Sequence, residues 1–357
     1  MHRYIAQRLL LSVPVLLGIL FVTFALARLI PGDPCRAALG EHATDQICDA
    51  FMERHGLNRP IHVQFGVYLK EVLQGDLGNS IRLNRPVTTL LVERMPMTFE
   101  LSISAMLVAS LVGIPLGILS AVRHNSTVDV TTMIGANIGV SMPVFWLGLM
   151  LAYAFSILLK DTPLWLPPSG RLTSGIQSVP LYEVFNLNVS GPAHGVLEFI
   201  SNMYTFNALV TGNFAVFLDA IKHLILPSLA LGTIPLALIA RITRASLLEV
   251  LGQDYVRTAR AKGLRQWPVV MKHALRNALL PVVTVIGLSF GSLLSGAVLT
   301  ESIFALPGMG RILYDAITAR DYVIVQGFTL VIAISFVVIN LLTDLTYGYF
   351  DPRIRLS

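Results

Sequence analysis

The sequence carries little charge for its length. Only 13% of the 357 residues are Asp, Glu, Lys or Arg, whereas 54% are hydrophobic. Soluble globular domains typically contain about 25% charged residues, so this composition excludes a soluble globule and predicts a protein that lies in lipid. The formal net charge of +5 is small and no basic arm is present. Nothing therefore supports a nucleic-acid partner.

The sequence also lacks the motifs of an ATPase or a hydrolase. None of its five lysines stands between a glycine and a serine or threonine, so no P-loop can bind nucleotide phosphates. No histidine begins an HExxH motif, and the two cysteines lack zinc-type spacing. The stretch Gly287–Gly291 fits the GxSxG pattern, but a nucleophile elbow needs a strand-to-helix turn. We therefore predict no catalytic residue, no metal site and no cofactor bound by this chain.

What the sequence does contain is six apolar runs, each long enough to cross a hydrocarbon core of about 30 Å. They predict an all-α polytopic membrane protein with six transmembrane helices. The first run follows His2, Arg3 and Arg8, as a signal peptide would. It is longer than a signal h-region and Arg28 follows it directly, so we assign it as a span. The predicted spans are Leu9–Ala27, Leu101–Val122, Met133–Leu159, Leu224–Ala240, Leu279–Leu299 and Val323–Leu342.

Acidic residues and histidines are absent from the interiors of these predicted spans. Proton- or sodium-coupled carriers usually place such residues inside the membrane to bind the driving ion. Arg28, Arg241, Glu301 and Asp344 lie near the ends of spans, where snorkelling to the interface accounts for them. The pattern counts against a self-sufficient secondary carrier, which stays the alternative from another class.

Basic residues concentrate on one side of the predicted spans. Between Arg241 and Arg276, eight bases are opposed by only two acids, Glu249 and Asp254. The positive-inside rule places this side, with both termini, in the cytoplasm, and we expect a multi-pass protein of the bacterial cytoplasmic (inner) membrane. The expected divisions are an N-terminal helix (1–30), an external segment (31–97), a five-helix core (98–348) that includes an external loop (160–222) and a cytoplasmic loop (246–277), and a tail (349–357).

The external segment 31–97 is expected to form a small subdomain after the first helix. It has helix-like stretches at Asp45–His55 and Ile61–Leu73. The loop 160–222 is rich in Pro, Gly, Ser and Asn, and we expect irregular structure there. Cys35 and Cys48 either form a local disulfide, if their segment faces an oxidising compartment, or remain two free thiols.

The basic link before the fifth predicted span has the features of two short helices joined by a turn. Asp254 suits a helix N-cap, Lys262 a last turn, and Gly263 the left-handed residue that ends a helix. A second helix is expected to begin near Pro268. We name residues 252–277 the elbow. On charge alone, a basic amphipathic hairpin that lies on anionic lipid headgroups is an equal alternative.

The elbow resembles the signature loop of binding-protein-dependent ABC importer permeases, in which Glu-Ala-Ala is followed after three residues by Gly. Gly263 takes the glycine place and Thr258 and Ala259 the alanine places, but Arg257 stands where the glutamate would be. In these departures the chain resembles the dipeptide and oligopeptide permease branch of the family. Within that branch it is most similar to the first membrane subunit of dipeptide permeases. Blocks that look like this branch are Ile30–Pro34, Gly75–Gly78, Ser141–Trp146, Asp254–Leu264, His273–Pro281, Pro307–Arg311 and Asp351–Arg355.

The resemblance implies a type I ABC importer permease fold and a subunit that translocates di- or oligopeptides delivered by an extracytoplasmic binding protein. It implies a homologous second permease subunit as heterodimer partner, and one or two ATP-binding subunits that bind ATP and magnesium. Membrane lipid would surround the spans. Nickel, haem or glutathione is the alternative cargo.

The same resemblance implies roles for residues of the elbow. A helix from Asp254 to Lys262 would dock an ATPase, and the segment Pro268–Asn277 would act as a lever into the fifth span. The expected coupling residues are Glu249, Asp254, Tyr255, Arg257, Thr258, Ala259, Arg260, Ala261, Lys262, Gly263 and Leu264, with His273, Arg276, Asn277 and Pro281 in the lever. Candidate residues for a weakly polar pathway are Asn137, Ser141, Ser289 and Ser292.

Overall fold

The computed structural model describes residues 2–29, 35–36, 43–54, 56, 58–295 and 297–350. The blocks at 30–34 and 351–355 fall outside these residues. In chain order the described helices are α1 (His2–Leu29), α2 (Asp45–Arg54), α3 (Ile61–Leu73), α4 (Val87–Val122), α5 (Thr127–Ser141), α6 (Val144–Leu158), α7 (Leu181–Val184), α8 (Pro192–Ser201), α9 (Tyr204–Val210), α10 (Phe214–Leu251), α11 (Asp254–Ala261), α12 (Gln266–Leu294), α13 (Val298–Ile303), α14 (Met309–Thr318) and α15 (Tyr322–Phe350).

Five of these helices, α1, α4, α10, α12 and α15, are continuous and apolar enough to cross a membrane. The bent pair of α5 and α6 raises the number to six when it is counted as one span. The predicted third span, Met133–Leu159, is thus two helices that meet at 99°. Pro143 causes the break, because it lacks an N–H and disfavours a helical ψ at the residue before it. Met142 accordingly has a ψ of 130°.

Several helices are longer or shorter than the apolar runs from which they were predicted. α4 begins at Val87 and α10 at Phe214, inside segments that were expected to be external loops. α12 ends at Leu294, five residues before the predicted end of the fifth span. The expectation of irregular structure across 160–222 was wrong, because α7, α8 and α9 lie within it. Hydropathy marks only the lipid-facing part of a helix, so it misses turns that continue among polar neighbours.

Glycines allow the central helices to approach closely. A Cβ on Gly117 of α4 would lie 2.6 Å from the Ala240 carbonyl oxygen of α10, and a Cβ on Gly232 of α10 would lie 2.8 Å from the Ala105 carbonyl oxygen. On α12, a Cβ on Gly287 would lie 2.1 Å from Thr343 Oγ1 of α15. The GxSxG stretch is therefore a helix-packing surface, as its small-residue spacing indicates.

The helices that cross the bundle alternate in direction, so their connections fall at two ends. The elbow end contains residues 123–126 and the elbow, and the far end contains residues 74–86, 159–213 and 295–321. Each end has its own buried apolar cluster, around Leu247 and Val269 at the elbow end and around Leu90 and Phe328 at the far end.

α1 lies at the edge of the bundle, beside α15 and α3. Arg8 forms an ion pair with Asp344 of α15 at 3.1 Å. Phe24 packs against Phe65 of α3, with ring centroids 5.2 Å apart. In the segment that follows α1, Cys35 and Cys48 form a disulfide, which is one of the two states that the sequence left open. α2 and α3 occupy the stretches that the sequence assigned to them.

Candidate functional site

The elbow begins where α10 ends, and α11 is its first helix. The N-cap of α11 is Gln253, whose side chain makes no capping hydrogen bond. The assignment of Asp254 as N-cap was wrong by one residue. Asp254 is instead the first residue of α11, where its charge favours the helix dipole, and its carboxylate pairs with Arg257 at 3.3 Å. Both side chains of this pair are largely exposed.

Gly263 ends α11 as the sequence predicts. Its φ is +79°, in the left-handed region that other L-residues rarely adopt. Its N–H donates a hydrogen bond to the Arg260 carbonyl oxygen at 2.9 Å. A Cβ built on Gly263 would meet no atom within 4 Å. Glycine is therefore required here by backbone conformation and not by space.

The second helix of the elbow is the start of α12. It begins at Gln266, two residues before the predicted start, and passes through a π-helical turn at Val269–Ala274 before it continues as an α-helix. Such turns are rare and frequent at functional sites. Val256 and Ala259 of α11 are buried in one cluster with Val269.

A polar contact also joins the two elbow helices. The Asn277 side-chain amide donates to the Tyr255 hydroxyl at 2.7 Å. The buried cluster around Val256 and Val269 also contains Ile118 and Ala121 of α4 and Leu247 of α10. A displacement of α11 would therefore be transmitted to α4, α10 and α12 together.

The outer face of the elbow combines bases with exposed apolar side chains. Tyr255 and Leu264 are each 43% exposed and Trp267 is 66% exposed. Tyr, Trp and Arg are enriched in protein interfaces. Exposed bases of the elbow are Arg257, Arg260, Lys262, Arg265 and Lys272. Apolar anchors among bases suit a protein surface that carries acids.

The remaining elbow candidates lie close to this face. Glu249 is exposed in the last turn of α10. The Thr258 hydroxyl donates to the Asp254 carbonyl oxygen within α11. His273 is half-buried, Arg276 is exposed, and Pro281 lies inside α12. The structure thus brings the predicted coupling and lever residues onto one end of the bundle, and their role in coupling remains a prediction.

The candidate pathway residues fall on two helices. The Asn137 side chain on α5 accepts a hydrogen bond from Arg241 of α10 at 2.9 Å. The Ser141 hydroxyl donates to the Asn137 carbonyl oxygen in its own helix. Ser289 is half-buried and Ser292 is exposed on α12. Their role as pathway lining stays a prediction.

One buried ion pair at the elbow end was missed by the sequence reasoning. Asp129, at the start of α5, accepts from Arg244 Nε and from Arg244 Nη2, both at 2.7 Å. The Ser120 hydroxyl and the Asn125 N–H also donate to its carboxylate. The Asp129 side chain is 5% exposed and that of Arg244 is 29% exposed. The pair fastens α5 to the last turns of α4 and α10, directly above the elbow.

A second missed ion pair lies at the far end. Glu100 of α4 pairs with Arg171 at 2.7 Å; the Glu100 side chain is buried and the Arg171 side chain is 10% exposed. The Glu100 carboxylate also accepts from the Thr205 N–H and hydroxyl. The Arg171 guanidinium stacks 3.6 Å from the ring centroid of Tyr204. These contacts hold the loop 159–213 against α4.

Glu301 is another buried acid, and the snorkelling explanation for it was wrong. It is 0% exposed and accepts from the Thr98 hydroxyl at 2.7 Å and from the Arg311 N–H at 2.9 Å. Burial raises the pKa of Glu301, against the opposing effect of these donors. The carboxylate joins α13 to α4 and to the first turn of α14, across the Pro307–Gly308 turn.

The prediction that the interiors of the spans contain no acids was wrong for two helices, α4 and α5. Glu100 precedes the predicted second span by one residue, and Asp129 precedes the predicted third span by four, so neither belonged to a predicted span. The observed helices include both residues. A single acid flanked by apolar residues was the available signal. Each of these acids is bound by protein donors, so none is an uncommitted site for a driving ion.

The close contact between Gly308 and Glu301 predicts that a larger residue at position 308 destabilises the protein. A Cβ on Gly308 would lie 2.3 Å from Glu301 Cδ, so Gly308→Ala must displace a buried carboxylate. Overpacking of this kind costs about 1–3 kcal/mol, and we expect a lower thermal unfolding midpoint. Gly135→Ala is the matched control, because a Cβ there meets nothing within 4 Å. Equal midpoints for the two variants would contradict the proposed packing.

The fold and the elbow define a class of protein: a polytopic helical membrane subunit with an exposed helical elbow at one end. Residues 113–356 match the family described as binding-protein-dependent transport system inner membrane component, and residues 1–102 match its N-terminal part. The chain belongs to this family, and its fold is that of an importer permease.

Full-length relatives agree with this assignment. The chain is 46% identical to a dipeptide transport system permease protein of Alkalihalophilus pseudofirmus, over 99% of this chain and 100% of the relative. It is 44% identical to a di/tripeptide transport system permease protein of Pseudomonas aeruginosa, over 99% of each chain. A solved methionine ABC transporter in an inward-facing conformation aligns at 17% identity and a TM-score of 0.49, over 73% of this chain and 96% of that one.

Proposed function

We propose that this chain is the membrane-spanning permease subunit of an ATP-driven importer that translocates di- or oligopeptides. The observation that carries the cargo is the 44–46% identity, over essentially the whole length, to relatives named for dipeptide or di/tripeptide transport. The chain has no P-loop, so ATP and its magnesium belong to partner subunits. The other partners are a homologous second permease subunit and an extracytoplasmic peptide-binding protein.

Two independent features support an orientation with both termini in the cytoplasm. The elbow end carries the excess of bases, which the positive-inside rule assigns to the cytoplasm. The Cys35–Cys48 disulfide follows α1 towards the far end, and disulfides persist in oxidising compartments outside the cytoplasm. The far end is therefore the external face.

The elbow is the part of the chain that an ATPase would move. Its outer face is basic and apolar, and its inner face shares one cluster with α4, α10 and α12. ATP binding would close the ATPase pair and carry the two elbows of the permease pair together. Because α11 packs on three helices at once, the response is a rigid-body rotation that opens the far end.

Reconstitution tests this proposal. Proteoliposomes that contain the complete transporter and lack a proton gradient should accumulate labelled dipeptide only with ATP and the binding protein. Excess nickel, haem or glutathione should not compete. Uptake driven by a proton gradient without ATP would instead support a secondary carrier. Competition by one of the three alternative cargos would reassign the cargo.

A further inference from the structure

The far end contains a cavity of about 420 Å³, and no residue of the elbow lines it. It lies between the loop before α4, α4 itself, α14 and the start of α15. Its volume is in the range of small-molecule sites. The residues that line it include three arginines, Arg82, Arg94 and Arg311, the acidic residue Asp315, and apolar residues such as Leu83 and Ile312.

The three arginines of this cavity form no ion pair with any residue that the structure describes. Among the described residues, no carboxylate oxygen lies within 4 Å of the Arg82, Arg94 or Arg311 guanidinium, and Arg311 has only the longer-range attraction of Glu301. The Nε of Arg94 is buried and has no hydrogen-bond acceptor in the described part of the chain. A buried donor of this kind is destabilising when it is left unpaired.

Two acids, Asp315 and Asp321, also line the cavity, and they differ in their hydrogen-bond partners. Asp321 already has partners within the chain. Its carboxylate accepts hydrogen bonds from the Ser80 hydroxyl at 2.5 Å and from the backbone N–H of Arg82 at 3.1 Å. Asp315 is exposed and has no ion pair among the described residues. With respect to the described part of the chain, the cavity therefore offers three arginines and one aspartate that form no ion pair, beside apolar residues.

We infer that this cavity binds a short zwitterionic peptide, with the peptide carboxylate against the arginines and the α-ammonium towards Asp315. A guanidinium group recognises a carboxylate with paired N–H donors, and the apolar walls accommodate small side chains. The inference rests on the proposed peptide cargo. It adds a peptide site in the permease itself, on the face where the binding protein would release its load.

Direct binding tests the site without the binding protein. The complete transporter in nanodiscs is titrated with radiolabelled dialanine, in the absence of ATP. We expect saturable binding, at least tenfold weaker for Arg94→Gln, which corresponds to loss of one charge-assisted hydrogen bond. Arg94→Lys should bind with intermediate affinity. Dialanine amide, which lacks the carboxylate, should compete at least tenfold less well than dialanine.

Arg85→Gln is the matched control, since Arg85 lies in the same region, pairs with Glu93 and does not line the cavity. It should bind like the wild type. Absence of saturable binding, equal competition by the amide, or unchanged binding in both Arg94 variants would overturn the inference. If Arg94→Gln weakened only the docking of the binding protein, or only the retention of an anionic lipid, the peptide site would likewise be rejected.

ATP-driven uptake by the same transporter, reconstituted in proteoliposomes with the binding protein, separates the two proposals. Uptake of dialanine without direct binding would leave the import function standing and reject only the cavity site. Absence of both would reject the peptide function as well. Elution of each variant complex as a monodisperse assembly controls for misfolding.

Discussion

The Gly263→Pro substitution is expected to abolish the stimulation of ATPase activity by loaded binding protein, together with peptide uptake. Gly263 has a φ of +79°, whereas proline is fixed near −65°. Proline also removes the N–H that bonds to Arg260. The turn between α11 and α12 must then change, so α11, the proposed docking helix, loses its position. Membrane insertion should be unaffected, because Gly263 lies outside the apolar spans.

Two further variants at the same position separate conformation from contact. Asn adopts the left-handed region more readily than other non-glycine residues, so Gly263→Asn should retain most of the stimulated activity. Gly263→Val should behave like the proline variant. Survival of stimulation in both the Pro and Val variants would show that the elbow is not the docking site. Complete loss in Gly263→Asn would indicate a steric contact with the ATPase.

Asp129→Ala is expected to cause the largest loss of stability. Breaking one partner of a buried ion pair costs about 3–5 kcal/mol, and the partial exposure of Arg244 places the expected cost at the lower end of that range. The variant removes the acceptor of Arg244 and of the Ser120 hydroxyl. Thermal unfolding of the purified complex measures the effect as a lower midpoint.

Asp254→Ala is the matched control for this prediction. It removes an Asp–Arg pair from the same end of the bundle, but both partners are exposed, and exposed pairs contribute about 0–1 kcal/mol. Replacing both Asp129 and Arg244 with apolar residues should recover part of the loss, because no buried charge is then left without a partner. Equal destabilisation by Asp129→Ala and Asp254→Ala would contradict a structural role for the buried pair.

Local features of the chain were predicted well from sequence. Ile61–Leu73 is a helix with the predicted bounds, and Gly263 is left-handed as its place after Lys262 indicates. Such features depend on neighbours within a few residues. The start of α11 was missed by one residue because Gln253 and Asp254 are both compatible with a helix N-terminus, and no side-chain capping bond selects between them.

Composition and short-range patterns are sufficient to predict the membrane environment of this protein, its apolar spans and the turn of its elbow. The partners of Glu100, Asp129 and Glu301 and the assembly of the arginine cavity depend instead on how distant parts of the chain pack together. Glu301 binds a hydroxyl 203 residues away at Thr98, and no local pattern encodes such a pairing. Burial in a low-dielectric bundle forces each charge to find a donor, but which donor lies within reach depends on how the helices pack.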